Sequence, residues 1–531
     1  MNLKYLFICI LIYTLTGYTS LGQIIQTHRF EEDIKSDEKG FTVFSLKKEG
    51  LALIREKEPE ERRKKKWQLE IVDTTLSKVW STELEIESKL TLVGYEYNPK
   101  HLYLLFREGA DTYIHTYSLF NVNLEEKIIT THEIKFEVDF KLSHFTMAGG
   151  SAVFGGYISN EPAVLLYDQR VTLPKVLPGL FIRQMKLLDV KANQNESFNI
   201  LLLENIDKEN SNLIVRTFDN KGNLIFDDII RVDPRFVIQT GMTSVLERDE
   251  LILIGTYTSG KTKPSSGFFS AVVDPFADEP LHYNDFGSMS HFLDYLPSKK
   301  AAKVKAKTQK LKRNGQLPSY SASVIPYRIE ERKDGFYFLA EVYHSSSGAS
   351  TNPYSYGSNY YNPSSMYGYY PYGLNSMNSN NRYYNTPYNS GNMAGNSDVQ
   401  MIESVVVKLG DNGKIEKDAS LKFANLRQDN LEQIGDFAVV RDSILLIYRK
   451  ENEIFYKCQI GDTIDIKPIK QSKVLVKSDH EYLRGQHETE GTIRYWYGNY
   501  FYLWGYQNIK DSKKLLDKTR RVFYVNRISL E

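Results

Sequence analysis

Between residues 298 and 313 the chain carries Lys299, Lys300, Lys303, Lys305, Lys307, Lys310, Lys312 and Arg313 and no acid. A run of this kind makes and breaks no bonds; it holds anions. The groups able to answer it are an anionic lipid headgroup, an acidic polysaccharide, the acidic face of a partner protein, or acids on the chain's own scaffold. One sign of charge along one helix repels itself at i,i+4 spacing, so compensation is expected; the plain alternative is a solvated lysine face. The other stretch with a chemical character of its own is 345–396, a Tyr/Asn/Ser/Gly segment whose only charged residue is Arg382. Rings such as Tyr360, Tyr361, Tyr369 and Tyr370 stack on sugars or on a partner. Polar residues interleaved with aromatics also favour self-association. With few aliphatics, the segment cannot offset its chain entropy by burial and reads as disordered.

Bond-making chemistry leaves little trace. The ten histidines include no pair at i,i+4 with a Glu between them, the spacing of a zinc-protease helix. His480 and His487 flank Glu481 and Arg484, which reads as a polar loop. No Gly-x-Ser-x-Gly elbow occurs. The pairs Gly149-Gly150 and Gly155-Gly156 precede no helix, so they are close-packing sites at an inner strand rather than a dinucleotide loop. Residues 219–223 and 411–413 look like calcium loops but lack the later ligands and the closing Glu, so they are turns. Cys458 alternates with Ile454, Tyr456 and Ile460 and reads as a buried, inert thiol. Carboxylates converging from distant segments obey no spacing rule; Glu341 and Asp436 are the candidates. No catalytic residue, metal site or cofactor is assigned.

The elements that position these residues repeat. Apolar runs begin at residues 50, 102, 152, 198 and 251, and again at 336, 444 and 501. The first five stand about 50 residues apart, close to a propeller-blade period. Each run is followed by a second strand (67–72, 113–119, 164–167, 213–218, 268–273, 404–409, 454–460, 522–528) and most then by a turn and a third. Asn and Gly at 219–223 and 410–413 supply the positive φ that such hairpins need. Weaker strands lie upstream, at 90–95, 144–148 and 494–497. Four antiparallel strands per unit with no crossover helices predict an all-β fold, a β-propeller of seven or eight four-stranded blades; stacked sandwiches are the competing architecture. The last unit lacks a strand, and residues 24–30 offer a spare one to close the ring and remove an edge.

In such a blade the second-to-third-strand loop and the blade-to-blade connection share a face. The long polar segments 56–66, 258–266, 344–400 and 508–520 are second-to-third loops, and 284–322 is a connection. All five fall on one face, with short turns opposite. Extended loops on one face of a rigid scaffold are where function sits. The segment 284–322 predicts two helices: 289–296, striped at 289, 292, 293 and 296 and broken by Pro297, then one capped by Ser298, running to Arg313 and stopped by Asn314-Gly315.

The start of the chain reads as an address. Lys4, an apolar run over 5–15 and small residues to Gly22 make a secretory signal peptide, 1–22, leaving the propeller as 23–531. The run is shorter than the ~20 residues of a membrane span, and no later run reaches that length. Export to the periplasm or the cell exterior is expected, with no nucleic-acid partner. Composition agrees: 67 basic against 66 acidic residues give no global field to select a partner, and two Cys make no disulfide framework. At ~150 residues per domain, 531 residues mean several domains or one large repeat architecture.

The helix with its basic segment, then Pro326-Tyr-Arg-Ile329, then 334–343 and a Tyr/Ser-rich loop, resembles a group of exported bacterial propeller-like repeat proteins without assigned activity. The resemblance spans mainly 284–420; it implies export and a propeller-like fold and carries no catalytic residues over. Three functions remain open at this point. The first is a non-catalytic binding or scaffold protein whose insertion face meets an envelope polyanion or a partner protein. The second is a carbohydrate hydrolase or lyase with carboxylates at the axis, and the third a self-associating structural protein. An acid-lined axis favours the second.

Overall fold

In a computed structural model of the chain the described residues are 23–35, 40–57, 63–108, 116–171, 173–180, 184–259, 264–277, 280–320, 322–345, 399–428, 432–460, 469–484, 491–513 and 519–530. They form eight antiparallel sheets in which sequential strands are neighbours, a β-propeller of eight blades. Blade 1 runs from Thr42–Ser45 to Lys78–Glu87, blade 2 from Leu90–Asn98 to Ile128–Lys135, and blade 3 from Phe140–Ala148 to Lys175–Val176. Blade 4 runs from Met185–Ala192 to Leu224–Arg231, blade 5 from Phe236–Thr243 to His282–Asp285, and blade 6 from Ser323–Arg332 to Ile415–Gln428. Blade 7 runs from Gly435–Val440 to Lys470–Lys473. Blade 8 takes Gly491–Tyr497, Tyr500–Asp511 and Arg520–Leu530, and its outer strand is Ile24–Asp33.

The second strands are the continuous apolar runs because both their faces are covered by neighbouring blades. Leu51–Glu56 is buried at every position, whereas the outer strand Lys78–Glu87 alternates buried and exposed residues towards its end. Eight hydrophobic clusters result, one between each pair of adjacent blades, and together they make a ring. Closure is by the N-terminal strand, as expected: Ile24 pairs with Leu530 and Asp33 with Val522. Across the seam between blades 8 and 1, Trp496 Nε1 donates to Gly50 O at 3.0 Å.

First strands of neighbouring blades lie against one another around the axis. Midway along five of them the register slips, at Leu92/Gly94, Leu142/His144, Leu187/Asp189, Ile238/Thr240 and Pro326/Arg328. A bulge re-aims the side chains that follow it. In blades 2, 4 and 6 these include Glu96, Asp189, Lys191, Arg328 and Glu330.

Three expectations change. The opposite face is not made of short turns alone, since blades 5 and 7 carry the longer third-to-fourth connections 274–281 and 461–469. Gly149 and Gly150, at φ +53° and +86°, form the hairpin turn of blade 3; the close-packed pair is Gly155 and Gly156 on its second strand, where a Cβ would meet Val190 and the Lys141 carbonyl. Residues 289–296 make turns, not a helix. Asp418 takes the Ser290 and His291 N–H groups, while Ser420 and Lys422 donate to the His291 and Tyr295 carbonyls. The stripe is still used: Met289, Phe292 and Leu293 are buried, and Phe292 stacks on Phe286.

Candidate functional site

The helix α1, Ser298–Arg313, forms where expected. Lys, Ala, Leu and Gln are strong helix formers. Ser298 does not cap it; Pro297 does, its carbonyl accepting from Lys300 and Ala301. At the far end Gln316 N–H bonds Leu311 O and Gly315 N–H bonds Lys312 O, with Gly315 at φ +69°. This is a Schellman stop, and a left-handed residue there favours glycine. Lys310, Lys312 and Arg313 in the last turn suit the helix dipole; Lys299 and Lys300 in the first turn oppose it.

One side of α1 is fastened to the propeller. Ala301 and Val304 pack on the core between blades 5 and 6. Thr308 is buried, its Oγ1 lying 2.9 Å from the Tyr320 hydroxyl, which donates to Asp285 Oδ1 at 2.8 Å. Asp285 Oδ2 accepts from Lys312 Nζ at 2.8 Å and from Ser288 Oγ at 2.7 Å. Burial opposes the Asp285 charge, but the bonds from Lys312, Ser288 and Tyr320 outweigh it and hold the carboxyl below its ordinary range. Gly287 allows this approach, because a Cβ there would strike Thr308 Oγ1 and the Tyr320 hydroxyl. Lys305 Nζ donates to Ser290 O at 2.7 Å.

Lys305 and Lys312 are therefore structural, and the other six expected cations are left. Lys299, Lys300, Lys303, Lys307, Lys310 and Arg313 are all exposed, with no ion pair or side-chain hydrogen bond among the described residues. At roughly 100° per residue they share a sector of about 140°, opposite the anchored side. The scaffold acids thus compensate the anchored side only. Tyr360, Tyr361, Tyr369 and Tyr370 lie outside the described residues, and so does His487. His480 lies 3.8 Å from Asp511 and beside a shallow pocket lined by Lys477, Asp479 and Lys513.

The axis is of mixed sign. Near the ends of the first strands, on the face opposite α1, Glu96, Asp189, Lys191 and Glu331 face one another's fields. Glu96 keeps some contact with solvent although protein surrounds it; burial raises its pKa well above the ordinary value, against a Thr146 hydrogen bond and the charges of Lys47 and Lys191. Burial likewise lowers the Lys191 pKa, and Lys191 Nζ donates to Thr243 O at 2.7 Å. Asp436 bonds Arg328 at 2.9 Å and accepts the Tyr495 N–H at 2.8 Å. Arg328 also bonds Glu330 and lies between the rings of Phe437 and Tyr495. Glu341 is 0% exposed. It accepts the Gly435 N–H at 2.7 Å and the Ile434 N–H at 3.0 Å, which fixes the entry to blade 7. Burial pushes its pKa up to about 7 despite those bonds.

Cys458 is buried in the core between blades 7 and 8, as its alternation indicated. Asp219 turns its carboxylate onto the N–H groups of Lys221 and Asn223, as a turn residue does. Among the described residues no group of three or more His, Cys, Asp or Glu is placed to hold a metal ion, and no helix is long and apolar enough to cross a membrane.

No family model matches the chain, and no curated protein matches it. Among solved structures, the polysaccharide lyase Uly1 aligns with a TM-score of 0.36 and 7% identity over 95% of this chain and 100% of that one. The Dos1 propeller aligns at 0.36 and 10% identity over 83% of this chain and 92% of that one. Prolyl oligopeptidase B from Galerina marginata aligns at 0.31 and 13% identity; 57% of this chain covers 38% of that one. Scores this low carry no argument, so the propeller rests on the sheet topology itself.

Proposed function

We propose that the protein is a non-catalytic, exported binding scaffold that holds an anionic envelope component or partner on its insertion-bearing face. One observation carries this reading: α1 is fastened along one side and presents six exposed cations on the other, unanswered by any acid among the described residues. A merely solvated lysine helix needs no Asp285–Lys312–Tyr320 network to hold it in place. The scaffold reading is further supported over the hydrolase reading by the two carboxylates singled out for the axis. Asp436 is bound to Arg328, and Glu341 is closed to solvent and spent on backbone N–H groups. The self-associating alternative depends on 345–396, which lies outside the described residues.

The test is co-sedimentation of the full chain with cell-envelope fractions across a salt series, beside a variant with Lys299, Lys303, Lys307 and Lys310 changed to Gln. Binding that weakens with salt and is lost in the variant is expected. Equal binding by both proteins, or none by either, refutes the reading.

A further inference from the structure

The outward face of α1 also says what shape of anion it fits. With a rise of about 1.5 Å per residue, Lys299, Lys303, Lys307, Lys310 and Arg313 stand about 4.5–6 Å apart along a line of about 21 Å. Lys300 flanks that line on one side, where its neighbour Ala301 turns to the propeller core. Elsewhere on the same face the charges are interspersed: Lys57 pairs with Glu83, Lys64 with Glu85, Arg235 with Asp233, and Lys89 lies between Glu87 and Glu108. A flat anionic surface would meet those acids too, whereas a chain laid along the helix meets only the cations.

The uncharged residues beside the line are Ala302, Ala306 and Gln309. A helix that enters a bilayer keeps an apolar face for it, and here the apolar side, Ala301 and Val304, is already taken by the propeller core. Stacking of nucleobases needs aromatic platforms, and among the described residues Tyr320, a ring beside the helix, is engaged with Asp285 and Thr308. Lysine is a compact point charge that answers single anionic groups one by one and does not demand the bidentate geometry of an Arg fork.

We infer that the occupant is a linear acidic polysaccharide, bound lengthwise on α1 by one acidic group per cation. The inference rests on the anion-binding reading above and names its ligand class.

The experiment titrates the full chain with polygalacturonate oligomers of increasing length at low salt. Parallel titrations use vesicles containing an anionic lipid and a single-stranded oligonucleotide of equal charge. The proteins are wild type and K299Q/K303Q/K307Q, whose folding is checked by near-ultraviolet circular dichroism. Affinity should climb with length until about four or five sugars cover the line, then level off. The triple variant should lose roughly two- to five-fold in Kd for each lysine removed. Binding to vesicles but not to oligomers overturns the polysaccharide and leaves anion binding standing. Equal or tighter binding of the oligonucleotide overturns it likewise. Affinity independent of oligomer length overturns the lengthwise geometry. Binding of no probe, or binding unchanged in the variant, overturns both this inference and the reading it rests on.

Discussion

Asp285→Asn tests whether α1 is held by the Asp285 network rather than by its own helical propensity. Asp285 is 5% exposed and accepts from Lys312, Tyr320 and both the N–H and the hydroxyl of Ser288. Asn keeps the shape and one acceptor oxygen, but it loses the charge and points an N–H₂ group at donors. A hydrogen bond to a buried charge contributes about 1.5–3 kcal/mol. The Lys312 side chain is 52% exposed, so its share is screened to about 1 kcal/mol or less. A loss of about 2 kcal/mol in helix docking follows. That corresponds to roughly thirty-fold faster amide exchange if the helix exchanges by local opening. The assay is hydrogen exchange of the full chain, resolved to 298–313 against 198–205 in blade 4 as an internal standard. Faster exchange confined to 284–322 is expected, together with weaker anion binding although every outward cation is intact. Protection of α1 unchanged within about three-fold (~0.7 kcal/mol) would refute the reasoning, because the helix would then stand without its anchor.

Removing residues 24–33 should uncover the edge of Arg520–Leu530 and promote self-association relative to the full chain; an unchanged light-scattering mass would contradict closure by that strand. Glu341→Gln addresses pH. The folded pKa of Glu341 is raised from 4.5 to about 7, so the folded state holds the proton more tightly than the unfolded chain. Stability therefore falls as pH rises from 4.5 towards 7 and is level above that, by an amount on the order of 3 kcal/mol at most. The Gln variant should lack that slope in urea unfolding between those pH values; a slope equal to wild type would show that Glu341 does not titrate there. Arg328→Met leaves the Asp436 carboxylate, 5% exposed, without its guanidinium. About 3–5 kcal/mol should be lost, read as a lower Tm, and a change under 1 kcal/mol would mean that water replaces the pair.

The parts legible in the sequence were those written in local patterns. Second strands such as Leu51–Glu56 announce themselves because both faces are buried, and α1 because its composition and its Asn314-Gly315 stop are local signals. Blade count was harder, since the outer strands vary from the two residues Lys175–Val176 to the fourteen of Ile415–Gln428. Residues 289–296 carry a helical stripe, yet Asp418, more than a hundred residues away, claims two of their N–H groups, and no window on the sequence contains both. The same holds for the site. The eight cations were visible, but the division into two anchors and six outward charges depends on Asp285 and Ser290, whose approach to α1 is tertiary. Asp436 was a candidate acid by type; its neutralisation by Arg328 follows from three blades meeting at the axis.

The anchoring of α1 has a consequence for how binding would be felt. Lys299–Lys303, Lys300–Lys303, Lys303–Lys307, Lys307–Lys310 and Lys310–Arg313 are like-charge neighbours at i,i+3 or i,i+4. Each costs about 0.2–0.5 kcal/mol, so on the order of 1–2 kcal/mol of repulsion is stored in the free helix. The Asp285 network holds the helix folded against that repulsion, and an acidic chain laid on the outward face removes it. Binding and helix docking are then linked, and linkage is reciprocal. Saturating polygalacturonate should slow amide exchange across 298–313 beyond any effect on 198–205. At saturation the fold-slowing should be the same in Asp285→Asn as in wild type, and it is easier to read in the variant, where opening is frequent. A ligand that binds the outward lysines yet leaves α1 exchange untouched in both proteins would refute the coupling, since the repulsion it screens would then contribute nothing to the helix.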